Sequence, residues 1–322
     1  MKTALLHYWL TRMRGGENVL AEFLRFYPDA EIFTHAFDPE GVDPVFSRAK
    51  VHETWIARLP GGRKHCQAYL PLMPSALRSL DLSGFDLILS SESGPAKGIR
   101  KPKGAVHVCY CHTPMRYLWD MYEDYYRAAG LCGKLGMRLF RDRLRRFDVE
   151  SAKSVDAFLT NSEFVRERVK RIYGRDSVVV HPPVDFAYFR AAPQGARDYY
   201  LFAGELVPYK RADLALEACA KLKRRLVIAG DGPMRAALEA KRVPGVEFVG
   251  RVSREEMRRL CGEARALLFP GIEDFGIVPL EAQAAGTPVV AYGAGGALET
   301  VLAGTTGLFF DRQTPDALAD AM

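Results

Sequence analysis

The sequence predicts an α/β protein made of two doubly wound domains, each with a parallel sheet. Short runs rich in Val, Ile, Leu and Phe alternate with helical patterns along the chain, as in parallel sheets covered by helices. The length of 322 residues suits about two domains of roughly 150 residues. A stiff segment with paired prolines, VVVHPPVD, predicts a hinge near residues 182–189. We therefore expect domains at residues 1–182 and 183–322.

The predicted strands are short apolar runs bounded by turn residues. In the first half they are 3–8, 31–35, 86–90, 105–111 and 157–160, with a helix at about 17–26. In the second half they are 199–203, 226–229, 246–249, 266–269 and 288–291, with helices beginning near Ala212, Pro233, Arg254 and Val278. Two such domains facing each other would form a cleft at the carboxyl ends of their sheets, where ligands of open α/β folds bind.

The composition, with 48% hydrophobic and 26% charged residues, excludes a disordered chain. No stretch approaches the roughly 18 apolar residues that span a bilayer. The six cysteines form no CxxC pair and no grouping with histidine that is typical of a metal site. We expect a cytoplasmic protein with reduced thiols.

A basic amphipathic helix is predicted at residues 134–147. The segment contains six Lys or Arg residues and one acidic residue, and its apolar residues Met137, Phe140, Leu144 and Phe147 recur at helical spacing. Such a helix can dock on anionic lipid, or it can pack against the core with a solvated basic back. We expect peripheral association with the inner face of the plasma membrane. Because the cations are concentrated on one helix, no nucleic-acid partner is expected.

Two candidate features follow strands of the first half. Gly15 and Gly16 precede a helix, where backbone amides can approach a phosphate; a tight turn is the alternative. His112 follows the strand AVHVCYC, on the ligand side of a parallel sheet, although a packing role is also open. The aromatic residues after it, Trp119 and Tyr122 among them, can stack on a sugar acceptor or anchor a helix, and the second interpretation is preferred for most of them.

The second half contributes cations and carboxylates. Lys210 and Arg211 lie at a helix start, where the helix dipole disfavours cations, so a bound anion would explain them; solvated surface cations are the alternative. Glu273 precedes a helix and Glu281 lies within it, with Phe275 and Gly276 in the turn between them. Two carboxylates so placed can reach different hydroxyls of one polar ligand. The spacing alone is also compatible with separate surface carboxylates.

The motifs together resemble family 4 glycosyltransferases of the GT-B fold. They are DFGIVPLEAQAAGTPVVA with Glu273 and Glu281 spaced as Ex7E, GDGP, GELVPYKR, NSEFV at residues 161–165 and GGE at 15–17. Within that family, YCHTPMRYLWDMY at residues 110–122 is similar to bacterial mannosyltransferases that use GDP-mannose to build O-antigen or exopolysaccharide units on a lipid carrier.

The resemblance implies roles for individual residues. His112 would lie beside the donor sugar at the reaction centre, and Glu273 would contact its hydroxyls. Donor-binding roles would fall to Gly16, Lys210, Arg211, Phe275, Gly276, Ile277 and Glu281, with Lys210 on the diphosphate and Glu281 on the ribose. Acceptor-side roles would fall to Trp119, Asp120 and Tyr122.

Two departures from the family pattern stand out. Many members have an Arg where this chain has Glu205, so the diphosphate would depend on Lys210. The sequence stops at DRQTPDALADAM, in what reads as the first turns of a helix, so we expect a C-terminal truncation.

The expected function is retaining, metal-independent transfer of a hexose, mannose from GDP-mannose, to a lipid-linked glycan acceptor. Retention is implied by the resemblance. The chain has no DxD motif, so neither a metal nor another cofactor is expected. The alternatives are a noncatalytic sugar-nucleotide-binding scaffold and a glucosyltransferase that uses UDP-glucose. An oxidoreductase is disfavoured because no GxGxxG fingerprint is present.

Overall fold

A computed structural model describes all of residues 1–322 and divides the chain into two compact units, Met1–Pro183 and Val184–Met322. Each unit has its own parallel sheet. No helix is both long enough and apolar enough to cross a membrane.

The first unit contains a seven-stranded parallel sheet in the order β3-β2-β1-β4-β5-β6-β7. The chain order reverses between β1 and β4, which is the switch point where doubly wound folds bind ligands. The strands are β1 Thr3–His7, β2 Glu31–Thr34, β3 Val51–Glu53, β4 Leu87–Glu92, β5 Val106–Cys111, β6 Ala157–Thr160 and β7 Val178–Val179. The helices are α1 Gly15–Phe26, α2 Met73–Arg78, α3 Tyr122–Ala128, α4 Leu131–Lys153 and α5 Glu163–Tyr173.

The second unit contains a six-stranded parallel sheet in the order β10-β9-β8-β11-β12-β13, with its reversal between β8 and β11. The strands are β8 Tyr199–Ala203, β9 Arg225–Ala229, β10 Val246–Gly250, β11 Ala266–Phe269, β12 Val289–Tyr292 and β13 Gly307–Phe310. The helices are α6 Phe186–Arg190, α7 Ala212–Leu222, α8 Arg235–Glu239, α9 Arg254–Glu263, α10 Ile277–Ala284, α11 Ala297–Thr300 and α12 Pro315–Ala321.

Helices cover both faces of each sheet, which explains why the central strands are continuous apolar runs. Neighbouring residues of β1 enter different cores: Leu5 packs on one face and Leu6 on the other, and both are buried. In β8, Leu201 and Phe202 divide in the same way. All residues of both strands are buried.

The predicted fold class is confirmed, with two parallel α/β units of the doubly wound type. All ten predicted strands are present. The strands β3, β7 and β13 are not among those ten: β3 has only three partly exposed residues, VHE, without an apolar run, and β7 has only two residues. The helix predicted to start near Pro233 begins at Arg235, and Pro233 lies in the preceding turn.

Candidate active site

In the first unit, the switch point between β1 and β4 brings together three residues from separate elements. Ser91 lies on β4, His112 directly follows β5, and Gly16 lies in the first turn of α1, which follows β1. Nε2 of His112 lies 2.8 Å from the Ser91 hydroxyl. The backbone N–H of His112 donates to the carbonyl of Glu92 over 2.8 Å. The imidazole is therefore fixed at the carboxyl edge of the sheet.

His112 is uncharged at neutral pH. Burial lowers its pKa to about 3, and the nearby His7 and Arg116 act in the same direction. A neutral imidazole has one N–H donor and one acceptor nitrogen. It can therefore hydrogen-bond a sugar hydroxyl, but it is not a cationic partner for a phosphate.

Gly16 allows the start of α1 to approach this histidine closely. A β-carbon at Gly16 would lie 3.3 Å from Nε2 of His112 and 3.3 Å from the Tyr8 hydroxyl. Such contacts are tighter than most side-chain contacts, so glycine leaves room at the helix N-terminus. Tyr8 is buried, and burial raises its pKa well above the ordinary value, so it remains a neutral hydroxyl.

The three residues predicted on the acceptor side bind other parts of the same unit. The indole N–H of Trp119 donates to Asp148 over 2.7 Å. Tyr122 is buried beneath the guanidinium of Arg141, at 3.8 Å from the ring centroid. Asp120 pairs with arginines of α5, at 2.6 Å from Arg168 and 2.8 Å from Arg171. These contacts anchor the segment after β5 to α4 and α5.

A buried ionic group lies next to Ser91. No sequence motif predicts it. Nζ of Lys97, fully buried, lies 2.8 Å from Glu92 and 2.5 Å from Asp148. Desolvation raises the pKa of Glu92. Glu92 follows Ser91 on β4, and Asp148 also holds Trp119. The group therefore ties β4, α4 and the segment after β5 together.

In the second unit, the switch point between β8 and β11 brings Lys210 and Glu273 into contact. Lys210 ends a short 3-10 turn after β8, and Glu273 lies in the loop after β11. Their Nζ and Oε1 atoms are 2.9 Å apart, and the two side chains are 15% and 21% exposed. A lysine ammonium has three donors and a carboxylate has two acceptor oxygens, so each group can also bind a ligand.

Close backbone packing at Gly271 makes this contact possible. A β-carbon at Gly271 would lie 2.7 Å from the Cα of Lys210 and 2.7 Å from the carbonyl oxygen of Tyr209. Both approaches are shorter than real side chains tolerate. The loop after β11 can therefore rest directly on the turn that carries Lys210.

Arg211 is engaged differently from Lys210. Its guanidinium binds the carboxylate of Asp213, with Nε–O distances of 3.1 and 3.2 Å and a third contact of 3.0 Å. Its backbone is left-handed, with φ of 56°, at the residue before α7. Asp213 thus pairs with the cation of Arg211 within its own turn, whereas Glu273, the partner of Lys210, comes from the loop after β11.

The start of α10 is shaped by Gly276. It has φ of 99° and precedes Ile277, the first residue of the helix, while Phe275 is buried. The backbone N–H groups of a helix start favour negative charge. The loop is supported by Gly296, whose N–H donates to the Glu273 carbonyl over 2.9 Å.

Glu281 lies in the middle of α10 and is largely buried. Desolvation raises its pKa to about 7, and Arg254 opposes this shift. Its carboxyl group therefore changes charge near neutral pH. No group of three or more His, Cys, Asp or Glu side chains could hold a metal ion.

Solved structures with the same architecture are glycosyltransferases of the GT-B fold. Anabaena HepE in complex with UDP-glucose superposes with a TM-score of 0.72 at 18% identity, covering 99% of this chain and 88% of that one. Sucrose-phosphate synthase from Thermosynechococcus elongatus gives 0.73 at 19% identity, covering 100% and 88%. WaaG, a glycosyltransferase involved in lipopolysaccharide biosynthesis, gives 0.68 at 17% identity, covering 99% and 89%. These identities establish the fold alone.

The family follows from the sequence comparisons. Residues 13–188, more than half of the chain, match the glycosyltransferase family 4 model, and residues 187–322 match glycosyl transferases group 1. The chain therefore belongs to glycosyltransferase family 4. It is 33% identical over 210 residues to a D-inositol 3-phosphate glycosyltransferase of Nocardioides, covering 53% of this chain and 46% of that protein. A protein of the same name from Mycolicibacterium paratuberculosis is 33% identical over 192 residues, covering 52% and 44%. The chain thus spans about half the length of the curated relatives it matches.

Proposed function

We propose that the chain is a retaining, metal-independent glycosyltransferase that moves a hexose from a nucleotide diphosphate sugar to a lipid-linked glycan. The contact between Lys210 and Glu273 is the observation that carries the proposal. It unites a cation for a diphosphate and a carboxylate for sugar hydroxyls at the switch point of one sheet. Glycosyl transfer breaks the bond between the donor sugar and the diphosphate. The carboxylate would serve the sugar end of that bond, and the cation would serve the diphosphate end.

Departure of the nucleotide diphosphate builds negative charge, which must be stabilised in the transition state. The ammonium of Lys210 and the backbone N–H groups at the start of α10 supply fixed positive charge without a metal. Glu273 accepts hydrogen bonds from the donor sugar, and Glu281 accepts hydrogen bonds from the ribose. Phe275, Gly276 and Ile277 contribute backbone contacts, and Arg211, which pairs with Asp213, is a second cation.

In the first unit, His112 serves the transferred sugar and Gly16 serves the donor phosphates. The neutral imidazole of His112, fixed by Ser91, orients a hydroxyl of the transferred sugar. Gly16 gives the donor phosphates access to the start of α1. Trp119, Asp120 and Tyr122 act on the acceptor side by positioning the segment after β5, since they are bound within the unit.

GDP-mannose is the proposed donor, on the resemblance of residues 110–122 to bacterial mannosyltransferases. UDP-glucose is the competing donor, and it is supported by the fold shared with HepE, whose structure contains it. A phosphate-bearing acceptor is supported by the name of the relatives, D-inositol 3-phosphate glycosyltransferase.

A lipid-linked acceptor requires access to a membrane, and α4 offers a suitable surface. Leu131, Leu135 and Leu139, called the leucine stripe below, are 88%, 60% and 66% exposed. They recur every four residues and therefore lie along one side of the helix. Arg138 is exposed beside them. We propose that this side of α4 docks on anionic lipid, with the leucines at the acyl boundary and the cation among the headgroups.

A donor screen by titration calorimetry tests the proposal, followed by a transfer assay in which the anomeric product is read by NMR. GDP-mannose should bind, and transfer in the presence of EDTA should give the donor's own anomeric configuration. Binding of UDP-glucose alone would move the donor assignment to glucose. Failure of every nucleotide sugar to bind, or binding without transfer to any acceptor, would favour the noncatalytic scaffold.

A further inference from the structure

The first unit contains a cavity of about 350 Å³ whose lining is strongly basic. Its walls come from two segments, Trp9 to Arg12 after β1 and Arg63 to Ala68 after β3. Pockets for small ligands begin at roughly 300 Å³, so the cavity can hold a phosphate or diphosphate together with part of a sugar.

The charge of the lining has one sign. Arg12, Arg63 and Lys64 are cations, His65 is a further nitrogen donor, and no acidic residue is among those that line the cavity. The cations are exposed, and the one buried residue of the lining is Cys66, whose thiol stays protonated because burial raises its pKa to about 11. The cavity wall therefore carries an excess of positive charge and of hydrogen-bond donors, and the carboxylate of Glu53 binds Arg63 from outside the wall.

The surrounding loops are held in place. Arg63 is anchored outside the cavity by Glu53, with Nε–O distances of 3.1 and 3.2 Å. The Tyr69 hydroxyl donates to the carbonyl of Pro60 over 2.7 Å. A β-carbon at Gly62 would lie 2.0 Å from the Ile56 carbonyl oxygen, so the turn before Arg63 packs directly on backbone. The cationic wall is thus a built feature of the fold.

The cavity lies at the carboxyl edge of the sheet. Both lining segments follow strands, β1 and β3, and the carboxyl ends of parallel strands share one edge. His112 and Gly16 lie at the same edge of the same sheet. The segment from Trp9 to Arg12 also continues directly towards Gly16 and α1. A group bound in the cavity would therefore be a neighbour of the proposed reaction centre.

We infer that this cavity binds the phosphate or diphosphate group of the acceptor. That the bound molecule is the acceptor rests on the proposed function, whereas binding of an anion in the cavity can be tested without it. Two sources share this chemistry: the diphosphate of a lipid carrier, and a soluble sugar phosphate. In both cases the anion would fix the acceptor so that its hydroxyl end extends towards His112.

Lys64 is the residue to change, because it is exposed and lines the cavity without belonging to a helix or strand. Lys103 is a matched control: it is an exposed lysine of the same unit, in the loop before β5 and hence at the opposite edge of the sheet. Inorganic pyrophosphate is titrated into the Lys210→Ala variant, so that the donor-side cation does not contribute. Lys64→Glu should weaken binding about tenfold or more, as expected for a lost charged hydrogen bond, and Lys64→Arg should retain it. Lys103→Glu should change the affinity less than about twofold.

Equal binding by the Lys64→Glu and Lys103→Glu variants would overturn the inference. A second measurement separates the sources, using a soluble hexose phosphate and vesicles that carry a polyprenyl diphosphate sugar. If only the binding of the hexose phosphate depends on Lys64, the acceptor is soluble. If the binding of the vesicles depends on Lys64, the acceptor is on a lipid carrier. If neither depends on Lys64, the inference is contradicted. If pyrophosphate binding depends on Lys64 but no nucleotide sugar binds, the cavity stands and the proposed function fails.

Discussion

Nζ of Lys210 and Oε1 of Glu273 lie 2.9 Å apart, although 63 positions of sequence number separate the two residues (273 minus 210). The contact is formed where the order of strands reverses, by the loops that follow β8 and β11. In a doubly wound sheet this place is a crevice, because the helices on either side leave in opposite directions. The two loops thus place a cation and a carboxylate side by side in one mostly buried pair.

Replacing Lys210 by Ala should lower kcat/KM by about 10²- to 10³-fold, the usual effect of removing one donor from a developing negative charge. The affinity for the nucleotide diphosphate product should fall as well. Lys241→Ala is the matched control, because Lys241 also pairs with a glutamate, Glu217, at 2.5 Å on the exposed surface of the same unit. Steady-state kinetics of both variants checks the prediction. Similar losses in the two would show that Lys210 has no special role.

Donor affinity should rise with pH because of Glu281. Its pKa is raised to about 7, and only the ionised carboxylate accepts hydrogen bonds from two ribose hydroxyls with both oxygens. The affinity should increase roughly tenfold between pH 6 and pH 8, as the ionised fraction grows. Glu281→Gln should bind more weakly at pH 8 and lose this dependence. Calorimetric titrations at several pH values would contradict the assignment if wild type and variant changed in parallel.

Rising pH should lower the stability of the folded protein through the same carboxyl group, whereas it should raise the affinity for the donor. A pKa raised on folding means that the folded state holds its proton more tightly. Its stabilising effect is complete below the ordinary pKa of 4.5 and is lost as pH rises through about 7. Glu281→Gln should therefore stabilise the protein relative to wild type at pH 8, by about 3 kcal/mol, and much less at pH 4.5. Urea unfolding at both pH values measures the difference.

Two histidines, the buried His107 of β5 and the half-buried His112 just after it, provide an internal comparison. Nε2 of His112 contacts the Ser91 hydroxyl and Nε2 of His107 contacts the Ser90 hydroxyl, both at 2.8 Å. Burial lowers the pKa of each to about 3. His112→Ala should reduce kcat about 10²-fold, whereas His107→Ala should reduce stability and leave kcat of the folded protein unchanged. The wild-type rate should show no titration of His112 between pH 5 and 9. Equal effects on kcat would reduce His112 to a packing residue.

Membrane docking should depend on the leucine stripe more than on the cations nearest the body of the unit. Arg141 and Arg145 cover the rings of Tyr122 and Trp119, so changing them would disturb packing as well as charge. Replacing the three leucines of the leucine stripe with Gln should lower binding to anionic vesicles about tenfold or more, because three apolar side chains are then no longer transferred from water into the lipid. Arg138→Glu should lower it further, and high salt should reduce the effect of charge.

A control for this measurement comes from the second unit. Leu298 and Leu302 are 58% and 63% exposed and belong to no predicted membrane surface. Their replacement by Gln should leave vesicle co-sedimentation unchanged. Sedimentation of the leucine-stripe variant at the wild-type level would remove α4 as the docking surface.

The sequence was most informative where periodicity and local turn chemistry determine structure. The strands β1, β8 and β11 could be predicted because all of their residues are buried and most are apolar, and four of the six residues of β5 are buried as well. The turn at Gly276 and the start of α10 were readable because a positive φ before a helix favours glycine.

Contacts between segments that are distant in the sequence could not be predicted in the same way. The pairing of Lys97 with Glu92 and Asp148 depends on how β4 and α4 pack, and charged residues give no periodic signal for a buried site. The cation of Arg211 was predicted to face a ligand, but its bond to Asp213 depends on a left-handed turn that the sequence does not indicate. The leucine stripe escaped notice because Met137, Phe140, Leu144 and Phe147 satisfied the expected helical period.

The most direct test of the account compares GDP-mannose with GDP in calorimetric titrations of wild type and Glu273→Gln. If Glu273 contacts the sugar and Lys210 the diphosphate, the variant should bind GDP-mannose about tenfold more weakly. Its affinity for GDP should be unchanged or higher, because Lys210 no longer shares its charge with a carboxylate. Equal loss for GDP and GDP-mannose, or no loss for either, would contradict the proposed arrangement of the donor.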